Sequence, residues 1–274
     1  MSNHSFAVTF RSTVTLAFLL ITSALLARQT TAAEPLPQAH AHNDYRHENP
    51  LADALSYGFC SIEADVFLID GELLVAHDLH EVKAERTLQA LYLDPLRERV
   101  EKNGGRVFAE GPLVTLLVDF KSEGESTYKV LETILKDYHG MLCHIESGRY
   151  VEGAVQVVVS GNRPIETMQA ATSRYGFVDG RKDNLDKKTY PKALMPLISD
   201  RWTSLFKWRG KGPISDAEQA KLEQMVQQAH ANGQRVRFWA TPENEDVWKV
   251  LADAGVDHIN TDQLERLARF LRTR

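Results

Sequence analysis

"PQAHAHNDYRHENPLADALSYGFCSIEADVFLIDGELLVAHD", residues Pro37–Asp78, sets His40 and His42 two positions apart, then Glu63 and Asp65 two positions apart, and then His77. From Phe59 to Leu68 only Ser61, Glu63 and Asp65 interrupt an apolar run. A β-strand sends alternate side chains to opposite faces. Ser61, Glu63 and Asp65 therefore share one face, and Cys60, Ile62, Ala64 and Val66 share the other. The apolar face needs a covering layer of helices, which turns both carboxylates toward the inside of whatever the sheet encloses.

The same alternation recurs along the chain. On "LVTLLVDFK" (Leu113–Lys121) Asp119 and Lys121 share an inner face, opposite Val118 and Phe120. On "AHAH" His40 and His42 share a face, with His42 one layer nearer the strand's C-terminal end. His77 follows the Asp70-Gly71 turn and shares a face with Leu73 and Val75.

Strand-like and helix-like periods take turns over the rest. Asn49-Pro50 offers an N-cap and first-turn proline for a helix closed by Gly58. Asp94-Pro95 opens another, ending at Gly104-Gly105, and "STYKVLETILKDYHG" is helical. "AVQVVVSG" (Ala154–Gly161), "YGFVDG" (Tyr175–Gly180), "ALMPLISD" (Ala193–Asp200), "QRVRFWAT" (Gln234–Thr241) and "VDHINTD" read as strands. Helical stretches separate them, one with a capping box at Ser215 and Glu218. Eight strand candidates, nearly all followed by a helix and uninterrupted by a linker tract, predict an α/β fold: a single-domain (β/α)8 TIM barrel. Catalytic residues of such barrels lie at the C-terminal ends of the strands.

Arg11, the uncharged run Val14–Ala27 and the small residues Thr31-Ala32-Ala33 resemble a secretory signal peptide. The run is shorter than the ~20 residues that a membrane span needs. The expected organisation is a signal peptide over residues 1–33 and one barrel domain over residues 34–274, with export to the periplasm or the medium. N-terminal sequencing of the exported protein checks this; a start near residue 34 is expected, and a start at Met1 would count against it. Net charge is −5 and no basic stripe stands out, which argues against a nucleic-acid partner. Cys60 and Cys143 could form one disulfide or stand as two buried thiols.

Three carboxylates converging at a barrel mouth repel one another and are costly to desolvate unless a positive charge sits among them. A hard divalent cation with oxygen ligands answers that need, and two flanking histidines suit general acid and general base work. His42, Glu48-Asn49 and "GFCSIEADVFLIDGELLVAHD" together resemble the glycerophosphodiester phosphodiesterases, within the superfamily of phosphatidylinositol-specific phospholipase C-like phosphodiesterases. "VDFK", "FWAT" and "NTD" extend the resemblance more loosely along the chain.

The resemblance implies a TIM barrel that hydrolyses a glycerophosphodiester or related (lyso)phospholipid. It implies His42 and His77 as the acid-base pair, Glu63, Asp65 and Asp119 as ligands of one Mg²⁺ or Ca²⁺ ion, and Asn43, Lys121 and Trp239 against the substrate. Two departures stand out. Asn43 replaces the arginine that usually follows the first histidine. Asp119 replaces the usual third glutamate, as in the sphingomyelinase D branch, and "AHNDY" resembles a bacterial and fungal branch of the superfamily.

Other residues carry open readings. His40, one layer deeper, is expected to orient a ligand. Arg237 could touch phosphate or pair with a barrel carboxylate. The aromatics of "RWTSLFKWRGKGP" could form a lid or meet a membrane surface, or simply pack the loop onto the barrel. Two other functions use parts of the same pattern: a non-catalytic exported phosphate- or lipid-binding barrel, and a metal amidohydrolase built on the H-x-H of strand one. The latter lacks histidines at the ends of strands five and six. Oligomeric state is not legible.

Overall fold

The computed structural model describes Met1 and residues 33–186 and 190–274. The expected export signal falls almost wholly on residues 2–32, outside the described residues. Among the described residues no helix is long and apolar enough to cross a membrane.

Eight parallel strands close into a barrel: β1 (Leu36–Ala41), β2 (Phe59–Ile69), β3 (Val114–Phe120), β4 (Val155–Gly161), β5 (Gly176–Gly180), β6 (Leu197–Arg201), β7 (Arg235–Trp239) and β8 (His258–Thr261). Closure is made by β1, which pairs with β8 through Ala39↔Ile259 and with β2 through Ala41↔Ile62. Helices follow the strands as the alternating pattern requires, among them Asp94–Lys102, Gly124–Leu135, Asp216–Ala231, Glu245–Asp253 and Leu264–Arg272.

The expected faces are those observed. Cys60, Ile62, Ala64 and Val66 join the large apolar cluster between strands and helices. The lumen has its own apolar plug of Leu117, Val158, Phe177 and Leu197, with Cys143 and Ile145. Below that plug the floor is polar. Arg235 donates to Thr115 Oγ1 at 2.8 Å and Gln156 Oε1 at 2.6 Å, and its Nη1 lies 3.1 Å from His258 Nε2. Above the plug, at the C-terminal ends, lies the polar cavity described below.

Local details depart from the expectations, each for a physical reason. The helix expected from Asn49-Pro50 begins only at Ala52, because Leu51 adopts a positive φ of 63°. Strand β6 begins at Leu197, after Pro196, which has no N–H to give to a ladder. Ser215 accepts from the Glu218 N–H, but the Glu218 carboxylate caps Lys207 N at 2.5 Å instead of closing the box. A short hairpin, His144–Glu146 with Arg149–Val151, was not expected. Strand β2 runs past the barrel rim and pairs antiparallel with a return strand, Glu72–Val75. Cys60 and Cys143 are buried free thiols, so of the two readings the pair of buried thiols is the one seen.

The aromatic loop after β6 is packed, not displayed. Trp202 and Phe206 stack at 4.1 Å, Phe238 meets Trp202 edge-on, and Trp208 is buried beside them. These rings are core.

Gly161 ends β4 with φ 66°, and a Cβ there would lie 2.4 Å from Phe120 O and 2.7 Å from Asp119 Oδ1. Gly161→Ala combines left-handed strain with a backbone clash, worth about 1–3 kcal/mol. The expected result is a Tm lower by roughly 2–10 °C in a calorimetric scan, and an unchanged Tm would show that β4 and β3 yield freely at this point.

Candidate active site

All eight residues expected at the site line one cavity of about 290 Å³ at the C-terminal mouth, joined by Ser160, Arg181 and Arg237. Glu63 and Asp65 come from the inner face of β2 and Asp119 from β3, where Asp65 and Asp119 are register partners. One oxygen from each of the three carboxylates lies within 4.8 Å of the others.

Glu63 is held from one side. Arg237 Nη2 donates to Oε2 at 2.5 Å, and His40 Nε2 lies 3.0 Å from the same oxygen. Burial alone would raise its pKa, but Arg237 and the hydrogen bond from His40 outweigh that and keep Glu63 ionised far below the usual carboxylate range. Arg237 is itself fixed by Asn260 Oδ1 at 2.9 and 2.7 Å. The pairing reading of Arg237 is therefore the one seen. His40 is fully buried between Ser61 Oγ, 2.7 Å from Nδ1, and Glu63; burial and then Arg237 push its pKa down to about 3, so it stays neutral.

Asp65 is the strained member. Its Oδ2 lies 2.6 Å from the Tyr45 hydroxyl and 2.9 Å from Lys121 Nζ, while Oδ1 is buried with no hydrogen-bond partner. Burial, followed by the charge of Glu63, raises its pKa to about 6 against the pull of Lys121. Lys121 also pairs with Asp119 Oδ1 at 2.9 Å; burial opposes its charge, but Asp119 and Asp65 more than compensate and raise its pKa. An orphaned, buried carboxylate oxygen beside two further carboxylates fits a hard cation. Glu63, Asp65 and Asp119 are the residues that could hold one.

The two histidines sit on different supports. His42 follows β1, and its Nδ1 is 2.7 Å from Asp262 Oδ1, just beyond β8. A carboxylate only accepts, so Nδ1 carries the proton and Nε2 keeps a lone pair. Burial lowers the His42 pKa, yet the Asp262 bond and the Glu63 charge raise it by more, and the net shift is upward. Asn43, at φ 48°, sets its amide 3.0 Å from the same Nδ1 and its Oδ1 2.7 Å from the Tyr45 hydroxyl. His77 lies just beyond the return strand, with Nδ1 3.1 Å from Asp78 Oδ2 and a side chain 42 % exposed. Asp78 is also the N-cap of the turn Leu79–Glu81.

Trp239 lines the cavity, but the Arg181 guanidinium lies 4.8 Å from its ring centroid. Sequence reasoning singled out neither Asp262 nor the Asp179–Arg181 pair. A signal existed for both: Asp262 shares the inner parity of Asn260 and His258, and Arg181 that of Asp179. Both ring nitrogens of His40, the first histidine of the H-x-H, are engaged by Ser61 and Glu63.

The profile of the AIM6-like phosphodiesterase domain matches residues 29–179, and that of the glycerophosphoryl diester phosphodiesterase family matches residues 235–265. Altered inheritance of mitochondria protein 6 from Eremothecium gossypii is 31% identical over 89% of this chain and 72% of its own length. The homologue from Arthroderma benhamiae is 29% identical over 86% of this chain and 83% of its own. Among solved structures, a glycerophosphodiester phosphodiesterase from Parabacteroides distasonis shares the fold with a TM-score of 0.53 at 14% identity, covering 88% of this chain and 99% of that one. One from Agrobacterium tumefaciens does so with a TM-score of 0.51 at 16% identity, covering 86% and 98%. The chain therefore belongs to the AIM6-like phosphodiesterase domain family, on a barrel of the glycerophosphodiester phosphodiesterase type.

Proposed function

We propose that the chain is a metal-dependent phosphoric diester hydrolase acting on a glycerophosphodiester or related (lyso)phospholipid. The observation that carries this reading is the convergence of Glu63, Asp65 and Asp119, one oxygen of Asp65 buried without a partner, in a cavity shared with two histidines. Oxygen-only ligands suit Mg²⁺ or Ca²⁺ over zinc. Such an ion supplies positive charge against the phosphoryl oxygens.

The chain's own residues supply the proton chemistry. His42, its Nδ1–H given to Asp262, takes through Nε2 the proton of the attacking hydroxyl, from water or from the substrate itself. A new P–O bond forms as the bond to the leaving alcohol breaks, and His77 gives that alcohol's oxygen a proton. Lys121 keeps Asp65 and Asp119 from repelling each other and offers its remaining N–H to a phosphoryl oxygen. Retention of an acid-base pair around the carboxylates supports hydrolysis over simple binding.

Turnover of a panel of glycerophosphodiesters and lysolipids, followed by phosphorus NMR, is expected with Mg²⁺ or Ca²⁺ and lost on chelation. His42→Ala and His77→Ala should each lower it by about two to four orders of magnitude with the fold intact. Near wild-type rates in both variants would sink the assignment. A cyclic phosphate product would identify the substrate's own hydroxyl as the nucleophile.

Asp262→Asn gives a separate test. A base works when neutral, so the rate rises with pH through the raised His42 pKa. Removing the carboxylate lowers that pKa, and the rising limb should move to lower pH. Turnover should also drop roughly 10–100-fold as the tautomer is no longer held. An unmoved limb would show that His42 does not set it.

A further inference from the structure

Arg181 has no part in the acid-base scheme, yet it lines the same cavity. It directly follows β5, and in a ring of eight strands β5 stands opposite β1, across the mouth from His42 and the β2 carboxylates. Its guanidinium is braced from behind. Nη1 donates to Asp179 Oδ2 at 2.7 Å and to Gly180 O at 2.9 Å, and Nη2 donates to Ser160 Oγ at 3.2 Å. Asp179 is fully buried, and its other oxygen has no hydrogen-bond partner among the described residues. A guanidinium is a planar fork of five N–H donors, and Arg181 Nε makes no hydrogen bond among the described residues.

We propose that Arg181 reads an anionic group on one alcohol of the substrate, so that the site prefers phosphodiesters carrying a second negative charge and rejects cationic, choline-type ones. This rests on the hydrolase reading for the position of the phosphodiester. Trp239 is the aromatic wall on which a quaternary ammonium would ordinarily settle by cation–π attraction. That attraction is already answered by Arg181, 4.8 Å from the ring centroid, and a second cation brought there meets a like charge. A carboxylate or phosphate instead meets a fork held in place before it arrives.

The surroundings extend the same bias. A groove continues outward from Arg181 and Trp239 past Arg163, Arg201 and Lys182, the last already paired with Asp186. Arg163 donates to Gly161 O at 3.0 Å, but its buried Nε has no hydrogen-bond partner among the described residues. The groove also carries Asp183 and Asp200; Asp200 accepts from the backbone N–H groups of Lys182 and Arg201.

The test uses 4-nitrophenyl aryl phosphodiesters that differ only in the para substituent of the second ring: hydrogen, carboxylate or trimethylammonium. Binding to the full chain with Mg²⁺ is measured by calorimetry, and nitrophenolate release by absorbance. The carboxylate is expected to bind about tenfold or more tightly than the trimethylammonium member, the size of one charge-assisted hydrogen bond. Arg181→Gln should bring the three affinities together, and Arg181→Lys should keep part of the preference, thermal unfolding confirming that both variants are folded. Equal affinities in the unmodified chain, no binding by any member, or a preference that survives Arg181→Gln would overturn the inference. Binding in the expected order without nitrophenolate release would overturn attack by water, since these diesters carry no hydroxyl of their own, and would leave the Arg181 inference standing.

Discussion

The Arg237–Glu63 pair is the interaction on which the mouth of the barrel depends. Both partners are nearly inaccessible to water, where an unpaired charge would carry a desolvation penalty of several kcal/mol. Arg237 meets Glu63 and Asn260 together, and His40 closes the remaining angle at the same carboxylate oxygen. Because both partners take Oε2, the carboxylate is oriented as well as neutralised. Removing Arg237 would leave three carboxylates facing one another with only Lys121 between them.

Charge is managed by layers in this lumen. The floor uses one guanidinium among neutral acceptors, Thr115, Gln156 and His258. Leu117, Val158, Phe177 and Leu197 form an apolar cluster in the same lumen. Above it, cations and carboxylates alternate around the ring: Asp65 and Asp119 with Lys121, Asp179 with Arg181, Glu63 with Arg237. Low dielectric strengthens each of these pairs, and it also makes the unpartnered oxygen of Asp65 costly enough to call for a cation.

The barrel and most of its mouth were legible in the sequence because both follow from a local rule. A period of two assigns Glu63, Asp65, Asp119 and Lys121 to the lumen without knowledge of any neighbour. Their partners follow no local rule. Arg237 lies 174 residues from Glu63, and Asp262 lies 220 residues from His42; only closure of the ring brings them together. The aromatic loop shows the complementary limit. Its composition fits a lid, a lipid contact or a packed loop, and the packing of Trp202 against Phe238 is visible only in three dimensions. Helix starts failed where a single backbone angle, that of Leu51, overrode an ordinary capping signal.

The overrun of β2 past the barrel rim has a consequence for how the two histidines can diverge. His42 is anchored to the closed ring through its own N–H on Thr261 O and through Asp262. His77 rides on a two-stranded flap that is tied to the ring at Ala76 N–H and Asp65 O. Leu73 and Val75 root the flap in the core, but its exposed turn at Asp70-Gly71 lies apart from the β1–β8 seam that holds His42. On the roles proposed above, the proton donor would be carried on this flap, and the proton acceptor is built into the wall. On those proposed roles, the side from which the alcohol departs can be reshaped with less disturbance of the closed ring than the side that attacks.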